Sequence, residues 1–212
     1  FLCLDIKLVN GIFHLSQERM IDQLLEEYHL EKCRETNLSP LAEFKPFPTE
    51  DPELVSRLPI RNLIGSLQYL ACRTRPDIIA SLNFMSRYMN SPSRELWHAA
   101  KNVLRYLKFS KHRSLALGNL TNTCIEIYTD SNHGGMEDRK STSGVLVKLF
   151  GSSVAWFSRK QGLVATSSAE AEFYELSLGI DEGQWMSRLL AELGEDITPF
   201  KLFCDNQSAI AI

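Results

Sequence analysis

From Cys124 onward the chain runs through short alternating segments broken by tight turns, then one helix-length stretch, then a last short segment. No other feature restricts the fold as much. The segments Ile125 to Asp130, Gly144 to Phe150 and Ser153 to Ser158 have the two-residue period of half-buried strands. Turns as short as Gly151-Ser152 favour antiparallel pairing. Ser168 to Leu193 carries helical periodicity, in one or two pieces, and precedes the segment Leu202 to Asp205. A strand that follows a helix arrives by a crossover. The expected fold class is therefore mixed α/β, a mixed sheet with helices packed against it.

Three acids occupy informative positions in that scheme. Asp130 ends the first alternating segment, Glu172 opens the helix, and Asp205 closes the last segment. Clustered carboxylates repel one another unless a cation holds them, and hard oxygen donors select Mg²⁺ or Mn²⁺ over softer metals. The trio points to a metal-dependent phosphodiester hydrolase. Glu170 and Glu175, on the same helix, read as solvated neighbours, with Glu170 the alternative ligand if the register slips. His133 reads as an incidental loop histidine.

The first half of the chain is organised differently. Two segments flank Asn10-Gly11, a pair suited to a hairpin turn because both positions need positive φ. Ser16 is placed to cap a helix through about His29. Five prolines between Asn37 and Pro59 indicate an extended linker. Helices follow at about Ile60 to Cys72, Asp77 to Tyr88 and Ser93 to Phe109. The formal charge of −3 hides an asymmetry: Ile60 to Ser114 holds ten Lys and Arg against Asp77 and Glu95 alone. Projected on the third helix, Arg94, Lys101, Arg105 and Lys108 form a basic stripe beside an apolar face, which suits a polyanion track. Two domains are expected, 1–118 and 119–212. The five cysteines include no Cys-x-x-Cys pair, which argues against a zinc site or a disulfide framework and fits a reducing setting. No apolar run reaches the ~20 residues of a membrane helix.

The segments "YTDSNHGGMEDRKSTSGVLV", "AWFSRKQGLVATSSAEAEFYELS" and "FCDNQSAIAI" resemble the ribonuclease H domain of copia-type LTR retrotransposon polyproteins. The segment "LIGSLQYLACRTRPDIIASLNFMSRYMNSPSRELWHAAKNVLRYLK" resembles the reverse transcriptase tail that precedes that domain. The likeness is collinear over essentially the whole chain. It implies a five-stranded sheet whose first three strands are antiparallel, and a two-metal site in which Asp130, Glu172 and Asp205 are three of four carboxylates. Two Mg²⁺ or Mn²⁺ ions are implied, one to activate water and one to stabilise the leaving oxygen of an RNA phosphate. Asp130 would bridge them.

Recognition of RNA in an RNA:DNA hybrid would fall to groups that reach the 2′-hydroxyl, with Ser131, Asn132, Ser167, Ser168, Asn206 and Gln207 as candidates. Arg139, Lys140, Ser141 and Thr142 are placed to hold phosphates. The family shows Asp-Ala-Asp-Trp at the first acid, whereas this chain has Asp130-Ser131-Asn132-His133. The sequence stops at Ile212, so the segment supplying the fourth acid is expected to be missing, and the absence of an Asp-Asp pair implies no DNA synthesis. Other implied partners are the polymerase palm and the integrase of the same polyprotein, in a cytoplasmic virus-like particle or the nucleus. The alternative is a non-catalytic nucleic-acid-binding remnant of a decayed or repurposed element.

Overall fold

Asn10 and Gly11 both take positive φ, 51° and 79°, and so close a two-residue hairpin between β1 (Asp5–Val9) and β2 (Ile12–Ser16). The computed structural model describes residues 2–37, 53, 55, 57–118, 123–132, 140–162, 165, 167–195, 197 and 199–205. The side chains of residues 132, 168 and 169 and most of the expected proline-rich linker lie outside that set. The chain divides into two compact units, one made of Phe1–Val9 and Phe13–Leu115, the other of Asn10–Ile12 and Ala116–Ile212. A short third strand, β3 (Leu115–Leu117), extends the hairpin in the order β1-β2-β3. The sequence reading had no strand there.

In the first unit, α1 spans Glu18–Glu27, and the expected cap at Ser16 does not form. Ser16 is instead the buried last residue of β2, and Gln17 takes the N-cap position without a side-chain cap. The Gln17 amide oxygen is engaged elsewhere, accepting from Thr74 Oγ1 at 2.8 Å. α2 (Ile60–Arg73) buries Ile60, Leu63, Ile64, Leu67, Leu70 and Ala71, a spacing of three and four that gives one apolar face. The next expected helix is split. Pro76, with no N–H to donate, opens a 3₁₀ turn at Pro76–Ile78, and α3 continues over Ile79–Ser86. α4 (Arg94–Phe109) starts as expected, with Ser93 Oγ accepting from Leu96 N at 3.2 Å. Leu96, Ala100, Val103, Leu104 and Leu107 bury against α1 and α2 in a single core, with Tyr28 and Trp97 edge to face at 5.8 Å.

One polar cluster is built into that unit. Arg75, 3% exposed, donates to Asp77 Oδ1 and Oδ2 at 3.0 and 2.7 Å and to Ser110 O and Oγ at 3.2 and 2.6 Å. Tyr106 adds its hydroxyl to Asp77 Oδ2 at 2.7 Å. Burial raises the Asp77 pKa, but the Arg75 hydrogen bonds and charge and the Tyr106 hydroxyl outweigh it, and the carboxyl ends below its ordinary value. Its stabilisation is therefore present above the ordinary carboxylate range and is lost as pH falls through it. Truncating Arg75 to Ala should cost about 2 kcal/mol, since it strips charged hydrogen bonds from the Ser110 carbonyl and Asp77. Urea denaturation at neutral pH checks this, and a loss near zero would mean the cluster is energetically idle.

The second unit is a four-stranded sheet in the order β6-β5-β4-β7. β4 (Ile125–Asn132), β5 (Thr142–Leu149) and β6 (Ser152–Lys160) pair antiparallel, and β7 (Lys201–Phe203) joins β4 in parallel. This is the mixed α/β sheet expected, with four strands among the described residues where the family resemblance implied five. The crossover to β7 is α5 (Ser168–Glu192), one continuous helix of 25 residues capped by Ser167 Oγ on Glu170 N at 3.1 Å. Ile125, Ile127, Val145, Val147, Met186 and Leu190 fill the core between sheet and helix. α5 lies close on the sheet because Gly179 and Gly183 carry no side chain. A Cβ at Gly179 would stand 2.8 Å from Thr129 Cγ2, and one at Gly183 would stand 2.7 Å from Ile127 Cδ1 and from the Phe200 ring.

Candidate active site

β4 lies at the middle of the second unit's sheet, with antiparallel β5 on one side and parallel β7 on the other. Tyr128 pairs with Phe203 across the parallel ladder, and their rings stack at 4.8 Å and 12°. Asp130 and Asp205 each follow that pair by two residues and so lie towards the same end of the sheet, but β4 runs on to Asn132, so Asp130 stands within the strand it was expected to end. β7 stops at Phe203, which puts Asp205 beyond the strand it was expected to close.

Alternation decides which side each β4 residue takes. Ile125, Ile127 and Thr129 are buried towards α5, whereas Tyr128 and Asp130 are exposed. Ser131 returns to the helix side, and there it meets Glu172. Glu172, 5% exposed, accepts from Ser131 N at 3.2 Å and Ser131 Oγ at 2.8 Å on Oε1, and from the Cys204 thiol at 3.6 Å on Oε2. Donor atoms of Glu172, Cys204 and Asp205 all lie within 4.8 Å of one another. Glu172 and Asp205 are thus brought together as the sequence suggested. Asp130 stands outside that group, and Cys204, which sequence reasoning passed over, stands inside it.

The second omission is Glu175. It was expected to be solvated, yet it is fully buried, with Oε1 accepting from Gly144 N at 2.6 Å and Oε2 without a partner. Burial pushes its carboxyl up to about 8. The backbone amides of Asp130 and Gly144 offset part of that rise, and the charges of Glu172 and Asp130 add to it. A signal was available in the sequence: residues 172, 175, 179, 183, 186 and 190 recur at steps of three and four, and they trace the helix face that meets the sheet. Glu170 lies off that face and is exposed.

The other candidates are placed as follows. Lys140 Nζ donates to Gly162 O at 2.9 Å, Ser141 is buried, and Thr142 opens β5. Arg139, His133, Asn206 and Gln207, and the side chains of Asn132 and Ser168, lie outside the described residues. On α4, Arg94 is exposed, Lys101 sits over the Trp97 ring at 5.5 Å, and Arg105 donates to Asn102 Oδ1 at 2.7 Å. Lys108 is committed within its own unit, to Glu31 O at 2.8 Å and Cys33 O at 2.9 Å.

The chain is 33% identical over 204 residues to the retrovirus-related Pol polyprotein from transposon TNT 1-94 of Nicotiana tabacum, covering 92% of this chain and 15% of that protein. It is 36% identical over 222 residues to the Pol polyprotein from transposon RE2 of Arabidopsis thaliana, covering 99% of this chain and 14% of that protein. The chain belongs to the copia-type retrotransposon Pol polyproteins. It spans about a seventh of the length of these relatives. The secreted RxLR effector protein 161 of Plasmopara viticola is 36% identical over 134 residues, which is 63% of this chain and 94% of that protein. No family model matches the chain, and no solved structure matches it. Among the described residues, no helix of this Pol segment is long and apolar enough to cross a membrane.

Proposed function

We propose that the second unit is a ribonuclease H-type hydrolase that, within its parent Pol polyprotein, cuts RNA in RNA:DNA hybrids. The observation that carries this reading is the convergence of Glu172 and Asp205 from a helix and from the end of a parallel strand. Asp130 belongs to the site by register, since it lies on the neighbouring strand at the level of Asp205, two residues beyond the Tyr128–Phe203 pair. The donor set fits a hard divalent cation. Among the described residues no ion pair joins a basic side chain to Asp130, Glu172 or Asp205. Asp130, Glu172 and Asp205 would hold Mg²⁺ or Mn²⁺. Such ions lower the pKa of a bound water and neutralise charge at a phosphate. Ser131 orients Glu172 by two hydrogen bonds, and Glu175 holds the adjoining backbone of β4 and β5.

The test is cleavage of a labelled RNA:DNA hybrid by the Pol polyprotein that contains this segment. Mg²⁺-dependent cutting of the RNA strand is expected, abolished by Glu172→Gln and by Asp130→Asn. Activity in the Asp130→Asn protein equal to wild type would remove Asp130 from the site, and activity in both variants would end the hydrolase reading.

A second reading follows from Asp130 standing apart and from the likeness to an effector that the segment nearly covers: a binding module without catalysis, gripping nucleic acid through α4. Arg94, Lys101 and Arg105 would then contact phosphates. Hybrid binding should weaken steeply with salt, because each phosphate contact releases a counterion at a slope of roughly 0.9 per contact on logarithmic axes. A flat salt profile rules out a phosphate track.

A further inference from the structure

We propose that Gln161 is a positioning residue, a buried amide that latches the first turn of α5 to β5 and so fixes where Glu172 stands. The inference rests on the hydrolase reading above, in which Glu172 is a metal ligand. Gln161 directly follows β6 and is 4% exposed. Its backbone N donates to Ser141 O at 2.8 Å, and Lys140 Nζ ties the next residue through Gly162 O at 2.9 Å, so the side chain starts from a fixed post. From there the amide reaches two different elements. Nε2 donates to Ser143 Oγ on β5 and to Ala171 O on α5, both at 3.0 Å. Both acceptors adjoin the site: Ser143 is the cross-strand partner of Ser131, which holds Glu172 Oε1, and Ala171 immediately precedes Glu172.

Apolar packing grips the other end of the helix. The core of the second unit takes Met186 and Leu190 from the far half of α5, whereas Phe173 and Tyr174, beside Glu172, are exposed. Near Glu172 the helix is held by Ser131, by the bond from Gly144 to Glu175 and by Gln161. Ser131 and Gly144 hold side chains, which can follow a moving helix, while Gln161 holds the backbone itself. The Ala171 carbonyl does not need this bond for its own satisfaction, since the helical ladder supplies a donor four residues on. What the bond adds is position. A carboxylate that drifts within a ligand set loses metal affinity, and the groups behind metal ligands carry about 10- to 100-fold of it.

Gln161→Met keeps the length of the side chain and removes its donors. In the metal-free 212-residue chain, amide hydrogen exchange across residues 172–175 should speed up about tenfold, while exchange across 186–190 stays at the wild-type rate. Mn²⁺ titrated into the same chain and followed by electron paramagnetic resonance should bind about tenfold more weakly than to wild type. Ser143→Ala, which removes one acceptor only, should weaken Mn²⁺ binding by a smaller factor, and it keeps the question open to measurement if Gln161→Met fails to fold by circular dichroism. Leu190→Val, which loosens the core at the far end of α5, should lower the urea midpoint and leave Mn²⁺ affinity unchanged. Exchange across 172–175 equal to wild type, Mn²⁺ affinity equal to wild type in both Gln161→Met and Ser143→Ala, or an equal loss of affinity in Leu190→Val would each overturn the latch. Wild type that takes up no Mn²⁺ would instead sink the metal site of the hydrolase reading, and the exchange rates alone would then decide whether Gln161 holds the turn.

Discussion

Replacing Glu175 by Gln should stabilise the metal-free chain by on the order of 4 kcal/mol at pH 8 and by almost nothing at pH 4. The folded carboxyl titrates at about 8, against an ordinary value of 4.5. Below 4.5 both folded and unfolded chains carry the proton, and the acid has no pH-linked cost. Between 4.5 and 8 the unfolded chain ionises while the folded one does not, so stability falls as pH rises, by up to about 1.4 kcal/mol per pH unit. Above 8 both forms are ionised and the loss levels off. Glutamine cannot ionise, so the variant should lose this slope while keeping an acceptor for the Gly144 amide. Urea midpoints at pH 4, 6 and 8, followed through the second unit, check the difference. A variant whose stability parallels wild type at all three values would show that Glu175 is not held neutral.

The second large effect is steric. An Ala at position 183 should cost about 1–3 kcal/mol although it improves helix propensity by about 1 kcal/mol, and a Val should cost more. The new Cβ would lie 2.7 Å from both Ile127 Cδ1 and the Phe200 ring, a separation that packed atoms do not hold. Either those side chains leave their places or α5 lifts off the sheet. Gly65 supplies the contrast. It also lies within a helix, α2, but a Cβ there meets nothing within 4 Å, so Gly65→Ala should show the propensity gain alone. Thermal denaturation of the two alanine variants should move in opposite directions. A shared direction would mean that propensity, not packing, governs position 183.

Much of this architecture could be read from local chemistry. Asn10-Gly11 made the hairpin legible because few other residues accept two successive positive φ angles. Ser93 announced α4, and the three tightly connected strands announced an antiparallel sheet. Local chemistry misled at Ser16, where burial in β2 took a good capping residue out of the helix. In the site, Glu172 and Asp205 were legible because element ends and carboxylates are both visible in a sequence. Glu175 was not, since an acid on a helix is normally solvated and only the glycines at 179 and 183 marked its face as buried. Asp130 was legible as a strand acid, but β4 runs two residues past it, and its side of the sheet depended on where α5 would pack. Cys204 was set aside because the search for paired cysteines cannot detect a thiol whose partners are carboxylates.

The parallel pairing of β7 with β4 sets an order of assembly. β4, β5 and β6 are consecutive antiparallel neighbours, and hairpin contacts form in microseconds. The bond from Thr129 to Phe203 spans 74 residues and must wait until α5 has formed and laid itself across the sheet. Glu172 and Asp205 therefore meet only after β4, β5 and β6 have paired. A nascent chain emerging from the ribosome would carry the antiparallel strands first, and Glu172 and Asp205 would come together only once β7 docks on β4.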